Sequence, residues 1–259
     1  MLIEKSLMYA AIALYIAGLG CARWRLLRFA VAGAFALHTV AIAIRWVAVG
    51  HPPLFGTYEN TSATAWFMAA TVLIVLFRYT GAEKTAFITL VTAPFLMIYG
   101  MTFNLARVPL TISERSLWVD FHSLFAGISY GGFVLAMAAG LLGLLKKGAE
   151  LDDRVGFRGL LWGFGGQSLT LFTGVVYSYL LFGRMWQWDP MQTYTLMAWL
   201  LYALLIHLRL FYRWEMSRIL ALSLGAFIVV ALSYWTLIYL PPGATFHTFD
   251  IDSRTHFIF

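Results

Sequence analysis

The chain has one cysteine, Cys21, in 259 residues, and only 12% of its residues are charged. A single thiol excludes an internal disulfide, a CxxC redox pair and an iron–sulfur centre built from this chain alone. Any thiol chemistry must be brought by a partner. So little charge excludes an ordinary soluble domain. Hydrophobic residues make up 61% and mean hydropathy is +0.78, more apolar surface than a fold of this size can hide from water. The sequence also lacks a tandem repeat and a low-complexity linker. Its most hydrophilic stretch, Lys146 to Arg158, mixes both signs and reads as a solvated loop. Lys and Arg total 18 against 12 Asp and Glu, but they are dispersed, which argues against a nucleic-acid partner.

What remains is a series of apolar runs, each of about 20 residues and long enough to cross a bilayer as a helix. Eight are legible: Leu7–Gly20, Arg28–Val49, Ser62–Tyr79, Thr85–Thr102, Trp118–Leu145, Gly159–Phe182, Tyr194–Tyr212 and Ile219–Leu240. The expected fold is therefore all-α, a single polytopic membrane domain over 1–259 with about eight transmembrane helices. The first run has no small-residue cleavage site and reads as a retained span. Twelve of the 18 basic residues, from Arg23 to Arg218, lie in or beside the linkers after runs one, three, five and seven. The positive-inside bias then puts both termini outside the membrane.

The segment Phe182-Gly183-Arg184-Met185-Trp186-Gln187-Trp188-Asp189-Pro190-Met191-Gln192-Thr193 falls between the sixth and seventh runs, on the outer side. Amphipathic rings favour that depth, but an aromatic belt requires neither fixed spacing nor a carboxylate. Asp189 before Pro190 suits a turn held by backbone N–H groups, or a carboxylate that orients a partner. On the same side lie His51, His122, His247 and His256. Neutral imidazole ligates haem iron and indole suits a flat apolar macrocycle, so two of these histidines and the tryptophans would make a six-coordinate haem site. Arg184 and Arg115 are placed to bind haem propionates. His38 falls near mid-membrane, seven residues before Arg45 on one helical face. His207 lies about 22 Å beyond Gln192 along the seventh helix, among Leu200, Ala203, Leu204 and Phe211. An ionisable side chain at such depth is costly, which marks either a functional position or a structural histidine bonded locally, as to a neighbouring backbone carbonyl. Both readings stand for His38 and for His207.

The Trp-rich segment resembles the "WWD" domain of the haem-handling proteins of cytochrome c assembly, of the CcsA/ResC type. That pattern reads approximately Trp-Gly-Arg-Tyr-Trp-Ser-Trp-Asp-Pro-Lys-Glu-Thr. Gly183, Arg184, Trp186, Trp188, Asp189, Pro190 and Thr193 match it. Met191 and Gln192 replace its Lys-Glu and remove two charges. Trp118-Val119-Asp120-Phe121-His122-Ser123 is similar to the family's first external histidine segment, and Thr245-Phe246-His247-Thr248-Phe249 to its second. Tyr202-Ala203-Leu204-Leu205-Ile206-His207-Leu208-Arg209 is similar to its Tyr-Ala-x-x-Leu-His-Thr-Arg. The stretch from Gly50-His51-Pro52-Pro53 to Tyr58-Glu59-Asn60 resembles its Gly-His-x-Pro…Tyr-Glu-Ser region.

The resemblance implies a cytochrome c biogenesis protein that carries haem b across the membrane and presents it at the external WWD site. Its ligands would be His122 and His247 outside and His207, with His38, inside, backed by Trp186, Trp188, Asp189 and Arg184. The implied partners are a CcsB/ResB-type membrane protein and an apocytochrome c with a CxxCH motif, so the chain would be a membrane component of a haem lyase or synthase. The implied location is a bacterial-type cytoplasmic membrane with the WWD segment facing the exterior. Two other functions use the same residues. A quinone-reactive, haem-containing subunit of a respiratory complex would use the histidines for electron transfer. A transporter of another small molecule would use them as proton relays.

Overall fold

The structure, a computed structural model, describes residues 2–21, 24–103, 105, 110, 115–147 and 150–239, with side chains to residue 234. Eight helices follow in order: α1 (Leu2–Leu19), α2 (Trp24–Val49), α3 (Gly56–Arg78), α4 (Glu83–Gly100), α5 (Leu117–Leu144), α6 (Glu150–Phe182), α7 (Pro190–Leu210) and α8 (Met216–Tyr239). No strand occurs among the described residues. The protein is an all-α polytopic membrane protein. Six of the helices (α1, α2, α3, α5, α7 and α8) are long and apolar enough to cross a bilayer by composition alone. The other two are more polar. α4 opens on Glu83-Lys84 and carries Pro94, and α6 begins with Glu150, Asp152 and Asp153.

Every apolar run has its helix, and all eight starts come earlier than expected. α6 begins at Glu150 rather than Gly159, and α3 at Gly56 rather than Ser62. Hydropathy marks the part of a helix that lipid can cover. Backbone hydrogen bonding continues into the solvated turns, where carboxylates favour a helix N-terminus.

The helices gather into two compact units, α1–α4 and α5–α8. In the first, α1 packs on α2 and α3 on α4, while α2–α3 and α1–α4 contacts close the group. Its core of Tyr15, Leu27, Val31, Ala34 and Leu90 is wholly buried. Toward the end of α2 the buried Arg45 donates to Glu59 (2.7 Å), to Glu4 (3.3 Å) and to the Leu105 carbonyl (2.9 Å). A guanidinium inside an apolar helix group persists only with such partners.

In the second unit, α5 packs most extensively on α6, antiparallel, through small residues that let the backbones approach. A Cβ added at Gly132 would sit 2.5 Å from the Gly159 carbonyl oxygen and the Gly163 nitrogen. Farther along the same seam the Ser129 hydroxyl bonds the Gln167 side-chain oxygen at 2.8 Å. Phe133 and Tyr202 stack with ring centroids 3.7 Å apart, tying α5 to α7. The antiparallel pairing puts the start of α5 and the end of α6 at one end of the unit. That end carries the candidate site.

Candidate functional site

α6 stops at Phe182 because Gly183 takes a left-handed conformation (φ 66°), its N–H bonding the Tyr179 carbonyl at 2.9 Å. α7 starts after seven intervening residues, under a strong cap. Asp189 is the N-cap and accepts from the Met191 N–H at 2.8 Å, Pro190 occupies the first helical turn, and the Thr193 hydroxyl donates to the Asp189 carbonyl at 3.0 Å. Between them, Ser178 Oγ donates to the Arg184 carbonyl and the Gln187 N–H to Gln192 Oε1, both at 2.9 Å. Asp189 is 3% exposed. Its observed bond is the turn-holding one of the two roles open to it from sequence. Gln192, one of the departures from the WWD pattern, has its own place in the turn, and Met191 is buried.

Trp188 sits at φ 55°, a left-handed conformation that costs a bulky side chain on the order of 1–3 kcal/mol. The bonded neighbours Gln187 and Asp189 hold it there and leave its indole 74% exposed. Trp186 meets it edge-on, with centroids 6.1 Å apart. Trp186 is half-buried, and its indole N–H is enclosed without a hydrogen-bond partner. Arg184 is exposed. Thus Gly183, Asp189, Pro190 and Thr193 build the turn, while Trp188 and Arg184 face outward from it.

His122 lies near the start of α5, at the same end of the unit. It is half-buried, and Nδ1 is 2.9 Å from the Thr170 carbonyl oxygen of α6. A carbonyl only accepts, so Nδ1 carries the proton and Nε2 keeps the lone pair. From the level of Gly174, beside His122, α6 runs about 12 Å to its end at Phe182. Aromatic side chains lie nearby on α5 and α6: half-buried Trp118 meets exposed Phe172 edge-on, and exposed Phe121 stacks on half-buried Phe125.

This arrangement spans α5 to α7, and residues 57–243 match the family described as "Cytochrome C assembly protein". The chain belongs to that family. The match contains His122, the Trp-rich turn and His207; His38 and His247 lie outside it. Among similar proteins, "Cytochrome c biogenesis protein CcsA" of Chlamydomonas reinhardtii is 27% identical over 216 residues, covering 76% of this chain and 61% of the algal protein. Proteins of the same name from Parasynechococcus marenigrum and a Synechococcus strain are 25% and 26% identical. These alignments cover 82% and 88% of this chain and 83% and 91% of the relatives. Membership places this cytochrome c assembly protein in cytochrome c maturation.

The other histidines separate clearly. His207 lies near the far end of α7 from the Trp-rich turn and is exposed, with Nδ1 2.8 Å from its own helix's Ala203 carbonyl oxygen and the ring stacked on Phe211. Like His122, it keeps Nε2 as the lone-pair nitrogen. His38 belongs to the first unit and is fully enclosed, with Nε2 3.0 Å from Ser62 Oγ and the ring edge-on to Tyr15. The cavity beside Ser62, Arg45 and Glu59 measures about 10 Å³, room for roughly one water. At 0% exposure, His38 presents no open face to a macrocycle in this arrangement. His247 and His256 lie outside the described residues. Among the described residues, no three His, Cys, Asp or Glu side chains gather as a bare metal site.

Three features were missed from sequence. Glu4 and Glu59 are the partners of Arg45, and an Arg in an apolar run is itself the signal that carboxylates must reach it. The Thr170 carbonyl that holds His122 has no sequence signal, because every residue carries one.

Proposed function

We propose that this protein handles haem b as cargo during cytochrome c maturation, receiving it within the bilayer and presenting it at the Trp-rich end of α5–α8. His122 would be one axial ligand there and His247 the other, with Trp186 and Trp188 against the ring and Arg184 near its propionates. His207 would serve an inner site. The observation that carries this reading is the His122 tautomer. A metal-ligating histidine commonly gives its other N–H to a backbone carbonyl, which fixes the ring and raises the basicity of the ligating nitrogen. His122 has that arrangement at the end where Trp188 is held outward. His207 has it as well.

Bound haem would supply two vinyl groups, to which the two thiols of the client motif add. The residues of this chain hold and orient it. Paired imidazoles would protect the iron, the indoles would leave one ring edge open, and one imidazole would yield to the histidine of the client. With the basic linkers inside, this end faces the exterior of a bacterial-type cytoplasmic membrane. The partners would be a CcsB/ResB-type membrane protein and an apocytochrome c with a CxxCH motif.

The test is the optical spectrum of the protein purified in detergent, repeated with His122→Ala, His247→Ala and His207→Ala. We expect the haem content to fall with His122→Ala and His247→Ala, and cytochrome c maturation to fail with each. Unchanged haem in both outer variants would overturn the outer site. Full maturation in a strain lacking the protein would overturn the cargo role and favour a respiratory subunit.

A further inference from the structure

α6 carries six glycines, and their surroundings differ. Gly159, Gly163 and Gly166 abut α5, and Gly156 abuts Ala139 and Leu220; all four serve helix packing. Gly165 faces open space. Gly174 fits neither group: a Cβ added there would meet two atoms of one side chain, His122 Nδ1 at 3.0 Å and Cε1 at 3.1 Å, and nothing else beyond its own helix's adjoining backbone within 4 Å.

A helical side chain leans toward the N-terminus and covers the turn before its own Cα. The residue at i+4 therefore shields the outer side of the carbonyl at i. Position 174 stands in that relation to Thr170, whose carbonyl receives the His122 Nδ1–H at 2.9 Å and the Thr173 hydroxyl at 3.1 Å. Without a side chain at 174, the carbonyl is open to a ring arriving from α5.

We propose that Gly174 is a positioning residue for His122: by carrying no side chain it uncovers the Thr170 carbonyl, which then holds the imidazole by Nδ1 and commits Nε2 to ligation. The inference rests on the assignment of His122 as a haem ligand. Its structural half, the seat itself, can be measured without haem. One methyl group at 174 crowds the seat, because at 3.0 Å the ring must move by a few tenths of an ångström and its 2.9 Å bond to the Thr170 carbonyl is strained.

The experiment compares wild type, Gly174→Ala, Gly165→Ala and His122→Ala. Isotope-labelled histidine NMR of the haem-free protein reads the tautomer, with the His122 signal assigned by its loss in His122→Ala. Haem retained on purification is the second readout. Gly174→Ala is expected to lose the Nδ1–H signal of His122 and about tenfold in haem retention, the low end for a lost partner of a ligating histidine. Gly165→Ala is expected to match wild type in both. An unchanged tautomer and haem content in Gly174→Ala would overturn the proposal, as would equal losses in the two glycine variants. A tautomer lost only in Gly174→Ala, with haem retained in full by His122→Ala, would keep the seat and overturn the haem assignment instead.

Discussion

Asp189 can be asked whether its carboxylate is needed as a cap or as a charge, by comparing Asp189→Asn with Asp189→Ala. Its side chain accepts from the Met191 N–H at 2.8 Å and is 3% exposed. Asn caps about as well as Asp, whereas Ala leaves the first turn of α7 with an unbonded N–H. Loss of an N-cap costs about 1 kcal/mol, within a range of roughly 0.5–2. For a chain of this size that corresponds to about 2–4 °C in melting temperature. The local effect is larger than the global one suggests. The cap also helps hold Trp188 at its left-handed φ of 55°, and the strain stored there, on the order of 1–3 kcal/mol, is released when the turn loosens. Asp189→Asn should therefore melt within a degree or so of wild type and support maturation. Asp189→Ala should melt about 2–4 °C lower and lose maturation out of proportion to its stability. The assays are thermal unfolding in detergent and haem-stained cytochrome c in cells that carry each variant. If Asn and Ala variants mature cytochrome c equally poorly while Asn keeps wild-type stability, the carboxylate acts as a charge and the capping argument fails.

Three further predictions follow from other parts of the fold. Arg45→Met leaves Glu4 and Glu59 buried without their cation and should cost about 3–5 kcal/mol, most of it recovered when Glu4→Gln and Glu59→Gln are added; a single-variant loss under about 1 kcal/mol in thermal unfolding would refute the buried cluster. Gly132→Ala drives a methyl into the α6 backbone and should cost about 1–3 kcal/mol, whereas Gly143→Ala, with open space around it, should cost nothing measurable. Burial first, then the charges of Asp152 and Glu150, hold the Asp153 carboxyl above the ordinary carboxylate range. The folded state thus keeps that proton to higher pH than the unfolded chain, so stability falls as pH rises through the window between the two and is level above it. Asp153→Asn should remove that slope, as read by melting temperature against pH; an unaltered slope would exclude Asp153 as its source.

Hydropathy alone was enough to count the helices, because lipid rewards an uninterrupted apolar stretch whatever it packs against. It located α5 well, within a residue at each end, started α7 at Tyr194 rather than Pro190, and located α6 poorly, since Glu150 to Arg158 is helical without being apolar. Histidine roles were less legible. Sequence placed His38 and His207 alike as intramembrane histidines. The structure makes one a fully enclosed partner of Ser62 and the other an exposed ring stacked on Phe211. Which face of a helix its neighbours cover is decided by packing.

From the linear chain come the membrane as solvent, the eight helices, the turn at Asp189-Pro190, and the family resemblance of the Trp-rich segment. These rest on interactions within a few residues, or on composition summed over one span. Folding alone decided the pairing of Arg45 with Glu4 and Glu59, the outward setting of Trp188 and the hold of the Thr170 carbonyl on His122. Each of these joins atoms far apart along the chain, or fixes a dihedral that only surrounding bonds can impose, and residue type carries no record of either.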